Sequence, residues 1–162
     1  MTTTLEKPAA ASDRELLLER IMDASPEKLF RCWTDPKLMV QWFTPAPWKT
    51  THAETDVRSG GKSFIVMEGP NGEKVPLHGV YLEVVPNRKI VFTDAFTSAW
   101  QPSDKPFMVA TVTFEDIGGG KTRYTAVARH WTVADREAHE KMGFHEGWGI
   151  AASQLEALAK KL

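Results

Sequence analysis

Over residues 144–162, apolar side chains recur at spacings of four and three: Phe144, Trp148, Ala151, Leu155, Leu158 and Leu162. On a helix of 3.6 residues per turn these positions form one narrow stripe. Glu146, Ser153, Glu156 and Lys160 fall opposite, with Glu156 and Lys160 spaced as a favourable i,i+4 pair. The pattern predicts a long amphipathic terminal helix, and its stripe needs a broad apolar surface to lie on. Strand-like alternation fills residues 48–131, so the expected partner is one curved sheet enclosing an apolar space with the helix.

Earlier in the chain, Leu16, Leu17, Leu18, Ile21 and Met22 predict a buried first strand from Glu15 to about Asp23. Ser25-Pro26 and Asp35-Pro36 are two helix-start signals, each a capping side chain followed by proline at the first helical position. Leu29, Phe30 and Trp33 form an apolar face after the first, and Leu38, Met39, Trp42 and Phe43 after the second. Two short helices meeting at a bend are expected, ended by Pro45 and Pro47. Strands are predicted over 50–57, 63–68, 77–85, 89–97, 107–115 and 121–131. Asn71-Gly72 is the strongest hairpin signal, Gly60-Gly61 marks a turn or bulge, and Gly118 to Gly120 join the last pair. Connections this short imply an antiparallel meander. Residues 135–142 are helical in pattern, with a break at Gly143. Strands bracketed by helices make an α+β two-layer domain over residues 13–162. Residues 1–12 have no apolar face and read as a frayed lead-in.

Composition narrows the function classes. The 162 residues are 42% hydrophobic and 25% charged, with a net charge of −1. This is ordinary for a globular domain and gives no electrostatic case for nucleic acid or an anionic membrane. No apolar run is long enough to cross a bilayer, and residues 1–12 carry no secretory apolar core. The single Cys32 excludes an intramolecular disulfide and fits a reducing compartment, so the cytoplasm is expected. Tryptophan is abundant, with six against two tyrosines. Those rings serve either as core mass or as the walls of a small-molecule pocket.

Several motifs carry a resemblance. They are Ile21, Met22, Asp23, Ala24, Ser25 and Pro26 leading into Leu29 and Phe30; Trp33-Thr34-Asp35-Pro36; and Gln41-Trp42-Phe43. Further on come Asp56 through Gly61, Gly79 through Pro86, Val112-Thr113-Phe114-Glu115, and Gly147-Trp148 before the terminal leucines. In this order the chain resembles bacterial SRPBCC (START-like, helix-grip) proteins related to the C-terminal domain of the heat-shock-protein-90 ATPase activator. The resemblance covers nearly all of residues 14–162. It implies a seven-stranded antiparallel sheet wrapped around the C-terminal helix; no cofactor is expected. It also implies binding of lipids, polyketides or other apolar molecules under that helix; some relatives are cyclases, aromatases or hydrolases. The eukaryotic co-chaperone has an additional N-terminal domain that about twelve leading residues do not supply here, so a co-chaperone role is the second reading.

Strand parity selects the candidate residues. Tyr124, Ala126, Ala128 and His130 share the less charged face of the last strand, and Met108, Ala110, Val112 and Phe114 that of the strand before it. Ile90, Phe92, Asp94 and Phe96 share a face, as do His78, Val80, Leu82 and Val84. The expected ligand-binding walls are Trp33, Trp42, Phe92, Phe96, Phe114, Tyr124 and Trp148, with the loop of Trp100 as a candidate lid. Asp94 and His130 are the candidate catalytic residues. On one cavity wall they would make an acid/base pair; otherwise Asp94 sits near the sheet edge and His130 is structural.

Metal chemistry has little support. His139 and His145 would lie about 120° apart on a helix, without a His-Glu-x-x-His pattern or a cysteine pair, and read as a solvated face. Cys32 reads as buried filler, and Asp56 with Arg58 as an ion pair fixing the glycine bulge. Three classes follow: a binder of a small apolar molecule, a module that touches a chaperone or another copy of itself, and a cyclase- or hydrolase-like enzyme.

Overall fold

The computed structural model describes residues 12–162; the lead-in expected over 1–12 lies almost wholly outside them. The chain runs β1 (Glu15–Met22), α1 (Pro26–Thr34), α2 (Pro36–Met39), β2 (Lys49–Thr55), β3 (Lys62–Glu68), β4 (Lys74–Val85) and β5 (Lys89–Thr93). It continues with β6 (Phe96–Ser98), β7 (Gln101–Pro102), β8 (Met108–Gly118), β9 (Lys121–His130), α3 (Val133–Lys141) and α4 (Phe144–Ala159). Seven strands form one antiparallel sheet in the order β1-β9-β8-β5-β4-β3-β2, and β6 pairs with β7 in a small hairpin of its own. The sheet and its C-terminal helix make an α+β fold of the helix-grip type.

The two helix starts form as their chemistry dictates. Ser25 Oγ accepts the Lys28 amide at 3.3 Å. Asp35 closes α1 by donating its own amide to the Arg31 carbonyl, and opens α2 by accepting the Lys37 amide on Oδ1 at 2.9 Å. One residue therefore sets the bend between Trp33 on α1 and Trp42 just beyond α2. Before β3, the Arg58 guanidinium grips Asp56 at 2.9 Å. Gly61 turns beside them, where a Cβ would lie 1.8 Å from the Asp56 carbonyl oxygen.

Three expectations change. The predicted strand over 89–97 breaks after Thr93. There Thr93 Oγ1 donates to the Met108 carbonyl at 2.7 Å and accepts the Ala95 amide at 3.0 Å. Side-chain hydrogen bonds thus replace the ladder, and Phe96 leaves with β6. In β4, a bulge between Tyr81 and Glu83 breaks the alternation expected for His78, Val80, Leu82 and Val84. Val80 and Tyr81 are both buried, and His78 is exposed. Glu156 and Lys160 do not pair with each other. Glu156 Oε2 accepts the Asp23 amide at 2.7 Å, and Lys160 Nζ lies 3.7 Å from the Asp23 carboxylate, so both tie α4 to the end of β1.

The predicted stripe of α4 faces inward. Phe144, Ala151 and Leu155 are buried, and Trp148, Leu158 and Leu162 are half-buried. On β9, Tyr124, Ala126, Ala128 and His130 are buried as parity requires, opposite Ala110, Val112 and Phe114 of β8. The main core joins α1, α4 and the sheet. A smaller one comprises Leu16, Ala128 and Phe144, and Leu18 and Trp148 pack against both.

Candidate functional site

Most of the predicted aromatic wall converges on Trp33. Its ring centroid lies 5.0 Å from Trp42, 5.6 Å from Phe43 and 5.6 Å from Phe92. Its indole N–H donates to the Tyr124 hydroxyl at 3.2 Å, and Tyr124 continues to Phe114, 6.0 Å away. Trp42 donates its indole N–H to the Cys32 carbonyl at 2.9 Å. Both buried N–H groups are therefore satisfied, as burial of a tryptophan demands. Trp148 packs against the same core from α4, 4.8 Å from Phe144. Phe96 is not in this group. It stacks edge-on with Trp100 at 5.5 Å in the β6–β7 hairpin, where the exposed Trp100 ring lies against Gly60.

Phe43 joins the wall although the sequence pattern gave it only a helix face. Gln154 of α4 was also missed. It donates to the Trp42 and Thr44 carbonyls at 2.8 and 2.9 Å, and accepts the Ala46 amide at 3.0 Å. That clamp holds Trp42 in the cluster, and it joins residues too far apart in sequence for any local pattern to signal.

The proton chemistry here is restrained. Burial pushes the Tyr124 phenol well above its usual value, with the Trp33 hydrogen bond opposing. Tyr81 is pushed up to about 12, again chiefly by burial. The Cys32 thiol is raised to about 11 by burial, against the pull of Arg31, and is a poor nucleophile at neutral pH. Asp94 and His130 are committed to different partners. Asp94 Oδ1 accepts the amides of Phe107 and Met108 at 2.8 and 3.1 Å, pinning the loop into β8. His130 Nδ1 bonds the Arg14 carbonyl at 2.8 Å, and its Nε2 meets Nδ1 of His139 at 2.9 Å. His139, read from sequence as solvated, is in fact buried. Phe107, Phe144 and Trp148 surround it at 5.0, 5.2 and 6.3 Å. Among the described residues, no group of three or more His, Cys, Asp or Glu side chains is placed to hold a metal ion.

Within a seven-stranded antiparallel sheet gripping a C-terminal helix, the Ser25 and Asp35 turns bring Trp33 and Trp42 together. The family model described as Activator of Hsp90 ATPase homolog 1-like protein matches residues 23–160. The chain belongs to this AHSA1 family. Among solved structures, protein NE0264 from Nitrosomonas europaea is 37% identical, with a TM-score of 0.89 over 93% of this chain and 96% of that one. Protein CV1439 from Chromobacterium violaceum is 26% identical, with a TM-score of 0.72 over 89% and 96%. Ms6760 from Mycobacterium smegmatis is 25% identical, with a TM-score of 0.75 over 90% of each chain. No curated protein matches the chain significantly.

Two concavities of this AHSA1 domain lie away from the aromatic cluster's centre. One of about 540 Å³ sits between the first turn of α1, the β4–β5 turn and β8, lined by Glu27, Arg88, Phe114 and Asp116 among others. A smaller one, about 220 Å³, is lined by Arg14, Val109, Arg129, His130 and Trp131. Helix α4 contributes to neither. No helix in the described residues is long and apolar enough to cross a membrane.

Proposed function

We propose that this AHSA1-family domain binds a small apolar or amphipathic molecule against the Trp33-centred rings, between α4 and the sheet. The observation that carries the reading is the convergence of Trp33, Trp42, Phe43, Phe92, Phe114 and Tyr124 into one contacting group. Small Ala126, Ala151 and Ala152 lie in the same core. Phe43, Phe92 and Trp148 are only half-buried, so the cluster has an accessible edge. A ligand there replaces ring–ring contacts instead of filling a void, which favours flat, apolar guests. Phe96 and Trp100 would act from the neighbouring hairpin as a lid. The locked Asp94 and His130 support binding over catalysis, and the buried free thiol of Cys32 is in keeping with a reducing, cytoplasmic setting.

A second reading, contact with a chaperone or another copy of the chain, is favoured by exposed apolar side chains on and beside α3 and on α4. Trp131, Val133, Met142 and Ile150 are 44%, 37%, 74% and 43% exposed. Native mass spectrometry separates the two. The binding reading expects a discrete adduct on freshly purified protein that is lost on denaturation and weakened in Trp148→Ala. A clean apo mass, with tryptophan fluorescence unmoved by a panel of lipids and polyaromatics, would sink it in favour of a protein partner.

A further inference from the structure

Helix α3 is held to the body of the molecule in an unusual way. Its only buried side chain is His139. A second tether lies just before β1, where Arg136 Nε donates to the Asp13 carbonyl at 2.8 Å. A helix anchored by one imidazole lacks the apolar stripe that normally docks a surface helix.

Hydrogen-bond logic fixes how that anchor works. The Arg14 carbonyl can only accept, so Nδ1 of His130 carries a proton. With both rings neutral, His130 Nε2 is then a lone pair, and Nδ1–H of His139 donates to it across 2.9 Å. One added proton can be shared along this bond, but a second sets N–H against N–H. Even the first places a charge among the rings of Phe107, Phe144 and Trp148.

Several charged groups on the elements packed around His139 are engaged elsewhere, while α3 also carries Asp135, Glu137 and Lys141 and α4 carries Glu146. On the β1 side, Arg14 donates to the Trp131 carbonyl, and Glu15 pairs with Arg129 of β9. On α3, Arg136 pairs with Glu140, which also lies 3.9 Å from His145 of α4, and Thr132 caps the helix start by accepting the Asp135 amide. Before β8, Asp94 is bonded to the backbone amides of Phe107 and Met108. The neighbouring charge that bears on His139 is His130, and it repels a second proton.

We propose that the His130–His139 bond is an acid-sensitive latch, and that α3 is a flap hinged at Gly143 that it holds against the sheet. Gly143 sits at φ +96°, the left-handed conformation that lets the chain reverse between α3 and α4. The sign follows from burial. Desolvation, then the neighbouring His130, depress His139 to about 4, against an ordinary value of 6.5. The docked flap is therefore fully favoured above about 6.5 and loses stability as pH falls from there towards 4, because the released imidazole takes up the proton. Opening uncovers Phe144 and Trp148, and Trp148 borders the aromatic cluster. That consequence for ligand access rests on the binding proposal, whereas the latch itself does not.

Hydrogen–deuterium exchange of the full chain, without ligand, tests the latch. Between pH 7 and pH 5, and after correction for intrinsic rates, amides of 133–143 should exchange roughly tenfold faster or more. Amides of β8 and β9 should stay protected. In His139→Phe, which keeps a ring in the cage but cannot titrate, that acceleration should vanish. Histidine ring NMR on the wild-type protein should also find His139 still neutral at pH 6. Unchanged α3 exchange, loss of protection across the whole sheet at once, an undiminished acid response in His139→Phe, or a His139 protonated at pH 6 would each overturn the proposal.

Discussion

Trp33 sits where the two short helices, α4 and the sheet meet, and its neighbours depend on one hydrogen bond. Replacing Tyr124 by Phe leaves the Trp33 indole N–H buried without its 3.2 Å partner. A loss of about 1–2 kcal/mol is expected, measurable as a shift in the urea midpoint with unchanged slope. Cys32 is fully buried and its thiol is held up at about 11. Native protein at pH 8 should therefore resist a thiol reagent that reacts at once in denaturant; rapid labelling of the folded chain would contradict the packing described. At this scale the sequence pattern identified Trp33, Trp42, Phe114 and Tyr124 as interior rings, because helix caps and strand parity locate them. It misplaced His139, since α3 has no apolar face and its burial comes from a partner on another element.

Between elements, local periodicity was readable wherever the backbone was regular. The caps at Ser25 and Asp35, the turn at Gly143 and the inward faces of β8 and β9 all follow from short-range chemistry. It failed where a side chain captured the backbone or an extra residue entered a strand. Thr93 and Asp94 end β5 by bonding the chain at Ala95, Phe107 and Met108, and the bulge after Tyr81 flips the rest of β4. The Gln154 clamp is likewise invisible locally. Gln154→Ala removes three hydrogen bonds to the segment between Trp42 and Ala46. We expect about 2 kcal/mol of destabilisation, with faster amide exchange concentrated at 42–47. Uniform loosening of the domain would show instead that the segment is held by its rings.

For the molecule as a whole, the order β1-β9-β8-β5-β4-β3-β2 places the first and second strands at opposite edges. The element order and the α+β class were legible because long helices and meanders announce themselves by period. The placement of β1 was not, since nothing local tells a strand which distant edge it will join. Its register, with Glu15 opposite Arg129 and Met22 opposite Thr122, spans most of the chain. That pairing has a consequence for synthesis on the ribosome. Of the described strands the leucine-rich β1 emerges first, yet β9, its sheet neighbour among them, is made almost last. At roughly 5–20 residues per second, this strand waits on the order of ten seconds before it can be sheltered. For that interval Leu16, Leu17 and Leu18 form a naked apolar tract on a nascent chain, the kind of segment that general folding helpers hold until translation is nearly complete.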